Sequence, residues 1–218
     1  MAVKRPSFEA VEDTFGEDVD VDARPEQATS TAVKSGWDAA DELSTSEKDY
    51  PVEFKHSEDI QVIKFIDQNG PFASYKQHFL QQKTVGKRSF VCIGSNCPLC
   101  TILENKPEDK RAFTIVNLSA GNQRQMLIAT PRFFKTLKAA EFSPQGPLVK
   151  PYWAVSRTGV KQTTVYNLNV IKPRDLMEDW GIDAEEAEAA VKATVPYERS
   201  VIRESSYAEL LEIAKELE

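Results

Sequence analysis

The sequence predicts an α+β, mainly β, fold: a small antiparallel barrel with a metal-bearing insertion, followed by an acidic helical C-terminal tail. Three observations lead there. Between residues 55 and 172 the apolar residues come in short β-branched or alternating runs, cut by Gly, Pro and Asn turns. Beyond Pro173 the pattern turns helical and acidic. All three cysteines and one of the two histidines fall inside residues 78–100.

Residues 1–50 read as a largely disordered arm. Acidic runs such as Glu17-Asp18-Val19-Asp20-Val21-Asp22 and few large apolar residues cannot offset chain entropy. Residues 36–43 are expected to form a helical turn or two that dock by Trp37, and Pro51 ends the arm. Residues 60–66, Ile-Gln-Val-Ile-Lys-Phe-Ile, predict a first strand, and Asp67-Gln68-Asn69-Gly70 a turn. Pro71 is read as the first position of a helix running to about residue 82. On it Phe72, Tyr75 and Phe79 make a core stripe, with His78 at the edge.

Residues 87–93 form the second expected strand, entering a knuckle at 94–100 and a short helix over 98–105. Residues 111–118 and 124–129 are the third and fourth strands, around a Gly121-Asn122 turn. Thr130-Pro131 is an N-cap and first-turn pair opening a helix at 131–141. Two more strands, 151–157 and 163–170, form a hairpin through Thr158-Gly159-Val160-Lys161. Helices are expected at 173–180, 183–194 and 204–217. The chain thus divides into an arm (1–50), a core (51–174) with a metal subdomain at about 71–110, and an acidic helical region (175–218).

The set His78, Cys92, Cys97 and Cys100 reads H-x13-C-x4-C-x2-C. A structural zinc ion needs four soft or borderline ligands at tetrahedral corners, about 2.3 Å for sulfur and 2.0–2.1 Å for nitrogen. Cys97-Pro98-Leu99-Cys100 is a knuckle that can present two thiolates to one ion. The competing reading is three small buried apolar side chains and an ordinary helix histidine. A redox pair is disfavoured by the third cysteine and by the lack of a βαβ pattern. His56 is an alternative fourth ligand. Four ligands close the ion to water, so the zinc is expected to be structural.

The net charge of −7 hides a strong division. Residues 1–50 carry 5 Lys/Arg against 13 Asp/Glu, and residues 175–218 carry 4 against 13. Residues 51–174 carry 18 against 8, a net of +10, which points to a polyanionic partner. Single-stranded nucleic acid is held by aromatic faces that stack on bases and cations that track phosphates. The candidate aromatics are Phe90, Phe113, Tyr152, Trp153 and Tyr166; the candidate cations are Lys64, Lys87, Arg88, Arg111, Arg132, Lys150, Arg157 and Lys161. On the late hairpin one face of 152–157 is expected to pack the core while the other offers an aromatic and an arginine to solvent.

Several classes are excluded by the same reading. No run approaches the roughly 18 apolar residues of a membrane span, and the N-terminus has no apolar signal region. Three clustered cysteines argue against a disulfide framework and for a reducing cytoplasm. Phosphate-binding glycine loops, G-x-S-x-G, H-E-x-x-H and a deaminase signature are all missing, so no enzyme is expected.

The run 71–78 (Pro-Phe-Ala-Ser-Tyr-Lys-Gln-His), the knuckle Cys92…Cys97-Pro98-Leu99-Cys100, and 152–159 (Tyr-Trp-Ala-Val-Ser-Arg-Thr-Gly) resemble single-stranded DNA-binding proteins of tailed bacteriophages. The ligand order His, Cys, Cys, Cys is similar to that of the zinc-containing helix-destabilising proteins of T4-type phages. The resemblance covers roughly residues 55–180. It implies an oligonucleotide/oligosaccharide-binding (OB) barrel with a zinc subdomain, single-stranded DNA in a basic cleft between them, and self-association on DNA through the N-terminal arm. It also implies that residues 175–218 compete with DNA and recruit phage replication or recombination proteins in the cytoplasm of the infected host. Two departures stand out. The first two cysteines are closer together than in the T4-type pattern, and the N-terminal arm lacks a basic self-association motif beyond Lys4-Arg5.

Overall fold

The computed structural model describes residues 51–80, 89–160 and 163–218. The expected N-terminal arm, with its helical turns at 36–43, lies outside them, as do Lys87, Arg88 and Lys161. The chain separates into Met1–Glu47 and Lys48–Glu218, and the second unit is the one described here.

Its strands are β1 (Gln61–Phe65), β2 (Ala73–Phe79), β3 (Ser89–Val91), β4 (Glu108–Asn117), β5 (Gln123–Ala129), β6 (Tyr152–Thr158) and β7 (Val165–Ile171). The helices are α1 (Pro98–Thr101), α2 (Pro131–Glu141), α3 (Asp175–Trp180), α4 (Ala184–Ala193) and α5 (Tyr207–Leu217). One mostly antiparallel, seven-stranded sheet runs β3-β2-β4-β1-β6-β7, with β5 on the other edge of β4. The α+β class is as the sequence predicts.

Two strands share one edge of β4. β2 pairs with its first half (Ala73 opposite Ala112, Gln77 opposite Glu108), and β1 with its last residues (Phe65 opposite Ile115, Ile63 opposite Asn117). At the junction the N–H of Thr114 has no strand partner, and the Asp67 carboxylate accepts from it instead. The Ile66 N–H donates to the Thr114 carbonyl at 3.1 Å from the same turn. A buried backbone N–H without a partner is costly, so Asp67 is what lets one strand serve two.

The helix expected at 71–82 is the strand β2 instead. Phe72, Tyr75 and Phe79 have helical spacing, but β4 extends to Glu108 and offers five residues of ladder that an isolated helix lacks. Tyr75 packs with Phe72 toward Tyr197, while the Phe79 ring is 55 % exposed, so no continuous stripe exists. The remaining elements differ from expectation by a few residues at their ends.

The expected barrel does not close. β5's outer edge is taken by residues 52–54, with Phe54 N–H to the Met126 carbonyl at 2.9 Å and Met126 N–H to the Val52 carbonyl at 2.8 Å. No ladder joins β5 to β7, and α2 packs on β4, β5 and β7. Thr130 caps α2 through the Phe133 N–H, with Pro131 in its first turn, and Phe133 and Leu137 enter the main core with Ile63, Phe65, Phe113 and Trp153. The Trp153 indole N–H is satisfied by the Leu148 carbonyl at 2.7 Å.

The acidic C-terminal helices belong to the same unit as the sheet. Leu176 of α3 and Ala187 of α4 cover Val62, Val116, Tyr152 and Ala154 on the opposite face. Five consecutive β6 residues, 152–156, are therefore buried, and neither face of that stretch reaches solvent as expected. Tyr197 packs on Ala73, Ala112 and Met126, and its N–H donates to the Thr114 hydroxyl at 2.9 Å.

Burial, opposed by the hydrogen bonds from Thr114, pushes the Asp67 carboxyl up to about 6 from an ordinary 3.8. The fold therefore favours the protonated acid. The Asp67 contribution to stability is fully present below about pH 4 and is lost between about pH 4 and 6, as the unfolded chain ionises first. Asp67→Asn keeps the acceptor for Thr114 and removes the penalty. Its melting temperature should exceed wild type by a few degrees at pH 7, about 1 kcal/mol after solvent screening, and match it at pH 4. Thermal melts at both pH values check this.

Candidate metal centre and nucleic-acid surface

β2 and β3 place His78 directly opposite Phe90. The chain leaves β3 at Cys92, whose N–H donates to the Lys76 carbonyl at 2.8 Å, and turns at Gly94 with φ +100°, a conformation that favours glycine. The Cys97 N–H closes the turn on the Gly94 carbonyl at 3.1 Å, and α1 carries Cys100 back over β2.

The His78 Nε2 and the three Sγ atoms all lie within 4.8 Å of one another. Cys97 Sγ and Cys100 Sγ stand 3.4 and 3.5 Å from Nε2, and Cys92 Sγ stands 3.7 Å from Cys100 Sγ. Tetrahedral zinc bond lengths give edges of about 3.6 Å for S···N and about 3.8 Å for S···S. A disulfide needs about 2.05 Å, so these are free thiols arranged around a point. The group can hold a metal ion. His78, and not His56, is the histidine in it.

The ring of His78 is fixed from behind. Its Nδ1 lies 2.9 Å from Asn105 Oδ1, and the Asn105 amide donates to the Phe79 carbonyl at 3.2 Å, which leaves Nε2 for the metal. Burial first, then Cys92 and Cys97, push the Cys100 thiol up to about 12. Burial raises Cys97 too, but backbone N–H groups of Ile93, Cys100 and Leu99 outweigh it and hold that thiol below its ordinary value. Three thiolates in one shell need a cation to hold them together. Asn105 carries no spacing signature, and only the fold reveals it.

The walls of the centre are apolar: Leu80 and Phe90 on the strand side, Leu99 from α1, and Leu210 and Ala214 from α5. Ser206 and Glu209 form a capping box that starts α5.

The expected nucleic-acid residues fare differently. Phe90, Phe113, Tyr152 and Trp153 are core side chains, and rings this buried present no face to a base. Tyr166 is half-buried and stacks on Phe133 at 4.7 Å. Lys64 donates to the Lys150 and Pro151 carbonyls at 2.8 and 3.3 Å and sits over the Tyr152 ring, so its charge is turned inward. Arg132 donates to the Thr164 carbonyl at 2.9 Å. Arg111 lies over the Phe134 ring at 4.5 Å and 3.5 Å from Asp109. Lys150 is exposed, and Arg157 is half-buried beside a small concavity shared with His56 and Gly159.

His56 stands edge-on to Phe54, Phe133 and Tyr166, at 5.0 to 5.1 Å. Burial, and then Arg157, lower its pKa to about 4, so the ring is neutral at physiological pH. Among the described residues, no helix is long and apolar enough to cross a membrane.

The arrangement defines an α+β domain built on an open, mostly antiparallel sheet with a His/Cys3 cluster that can hold a metal ion. Comparison with family models, curated proteins and solved structures gives no match.

Cys97→Ser should lose bound metal and lower the melting temperature together, and should raise amide exchange across α5, which rests on the knuckle. Asn105→Ala should keep all four ligands yet bind the metal about 10–100-fold more weakly. Metal content by mass spectrometry and chelator competition read both out; full affinity in Asn105→Ala removes its orienting role.

Proposed function

We propose that the protein binds single-stranded DNA with little sequence preference, coating intermediates of bacteriophage replication and recombination, and that a structural zinc ion occupies the His78, Cys92, Cys97 and Cys100 centre. It acts as a binding protein and not an enzyme. The observation that carries the reading is the net +10 of residues 51–174 in a chain of net −7.

The topology supports it. Taken as one interrupted strand, β1 and β2 lie beside β4 on one side and β6 on the other, with α2 between β5 and β6 in sequence; β5 and β7 are outermost, apart from β3, which edges β2. That order is compatible with a partly open five-stranded OB barrel, a fold whose loops hold oligonucleotides. In that plan the metal-bearing insertion (80–107) and the β6–β7 hairpin are the binding loops. Zinc gives the first of them a core it is too small to build from apolar residues alone.

The acidic helices would then act on DNA through their field, as a polyanion held in the same unit. Removing residues 175–218 would strip Leu176 and Ala187 from one apolar cluster and Leu210 from another, so deletion does not isolate the charge. Replacing the exposed Glu185, Glu212 and Glu216 with Gln does.

Fluorescence anisotropy with labelled oligo-dT of about 30 nucleotides and a matching duplex tests the function. The single strand alone should bind, and for about four phosphate contacts the affinity should fall about 50-fold between about 50 and 200 mM salt. No binding to either would make the domain a zinc-stabilised protein-interaction adaptor with acidic arms that mimic nucleic acid. Ring or filament formation with strand annealing would make it a recombination annealing protein. The triple Gln variant should bind the single strand several-fold more tightly, mainly at low salt. Unchanged affinity would remove the competing role of the acidic helices.

A further inference from the structure

A concavity of about 390 Å³ opens between the β1–β2 turn and α2. Its floor is the main core, at Phe113, Leu137 and Leu148. Phe134 and Phe142 lie along α2 and just past its end, and the Phe142 ring is 79 % exposed, the most exposed large apolar side chain among the described residues. Across from the helix stand Gln68 and Asn69, held in the turn that ends at Gly70 with φ +89°. Lys138 lines the site, and the Arg111 guanidinium lies over the Phe134 ring. The one carboxylate in the lining, Glu141, is engaged by the Leu148 N–H at 2.7 Å.

We propose that this concavity takes a single nucleobase of the bound strand, laid against Phe134 and Phe142 with its phosphate toward Lys138. The inference rests on the reading of the chain as a single-strand binder, and it moves the stacking site away from the strand aromatics. Its volume is at the small end for ligand pockets, which suits one ring system with its sugar and not an extended ligand. An apolar floor and two aromatic rings accept any base, because every base has a π-face. The amides of Gln68 and Asn69 each carry donors and an acceptor, so they can meet any base edge without selecting one. Charge favours a nucleotide over an acidic or neutral peptide: Lys138 is the cation in the lining, and the single carboxylate there, Glu141, is engaged by the Leu148 N–H.

The experiment uses the full-length, metal-loaded chain. Phe142→Ala removes an exposed ring and should leave the melting temperature unchanged, while weakening oligo-dT binding about tenfold in the anisotropy assay. Phe79→Ala, which removes the other strongly exposed phenylalanine among the described residues, on β2, should bind as wild type does. Photocross-linking with 5-bromodeoxyuridine in the oligonucleotide should map to residues 134–142. Wild-type affinity in Phe142→Ala, equal losses in both variants, or cross-links confined to other segments would each overturn the site while leaving single-strand binding in place. A wild-type dimer abolished by Phe142→Ala, with oligonucleotide binding intact, would make the concavity a self-association surface and overturn the proposal. If the wild-type chain binds no oligonucleotide at all, the functional reading itself falls and this site with it.

Discussion

β4 carries ten residues and three partners, and the N–H of Thr114 stands where two of those partners meet. Neither β1 nor β2 can reach that group, and leaving it dry would cost more than a typical hydrogen bond returns. Asp67 accepts from it on one side, while the Thr114 hydroxyl accepts from Tyr197 on the other. One residue thus joins the strand junction to the C-terminal segment that crosses the sheet. Everything upstream follows from the junction. Because β4 continues past it to Glu108, β2 is extended, and because β2 is extended, His78 points from its face toward the knuckle with Phe90 opposite.

The metal centre is the second consequence. Its cysteines lie on a short loop and one helical turn, segments with few apolar contacts of their own, while its histidine lies on the sheet. A metal ion would join the two by bonds that apolar burial on this scale cannot replace. The remaining wall comes from α5, which turns Leu210 and Ala214 toward Leu99 and Phe90. The knuckle and the chain's last helix therefore share one small core, and loosening either exposes the other.

The sequence disclosed what local chemistry specifies. Thr130-Pro131 marks a helix start by its capping group, and it caps as its residue type suggests. The clustering of the four potential metal ligands was legible because tetrahedral coordination needs a fixed count of soft donors, whatever the fold around them. β2 was not, since its extended form depends on ladder partners more than thirty residues away. Asn105 and Asp67 were hidden for the same reason: each serves a group that only tertiary structure brings near. The docking of 175–218 was obscured by composition. Thirteen acidic residues dominate that segment, while the contacts that hold it rest on a few apolar side chains such as Leu176, Ala187 and Leu210.

Burial also redistributes the chemistry a nucleic acid would meet. Strand alternation assumes that one face of a sheet is wet, and that assumption fails on β6, where α2 backs one face and α3 and α4 the other. Tyr152 and Trp153 are spent on packing, and Lys64 is spent on two carbonyls and a ring. Positive charge and aromatic surface remain together along α2 and just past its end, where Lys138 accompanies Phe134 and Phe142. On the proposed reading, a polyanion attracted by the net charge of residues 51–174 would find there both of the groups that a single strand requires, cations for phosphates and rings for bases. A duplex, with its bases already stacked, can use only the first. Discrimination between the two forms would then come from the aromatic term, and the salt-dependent term would supply most of the affinity they share.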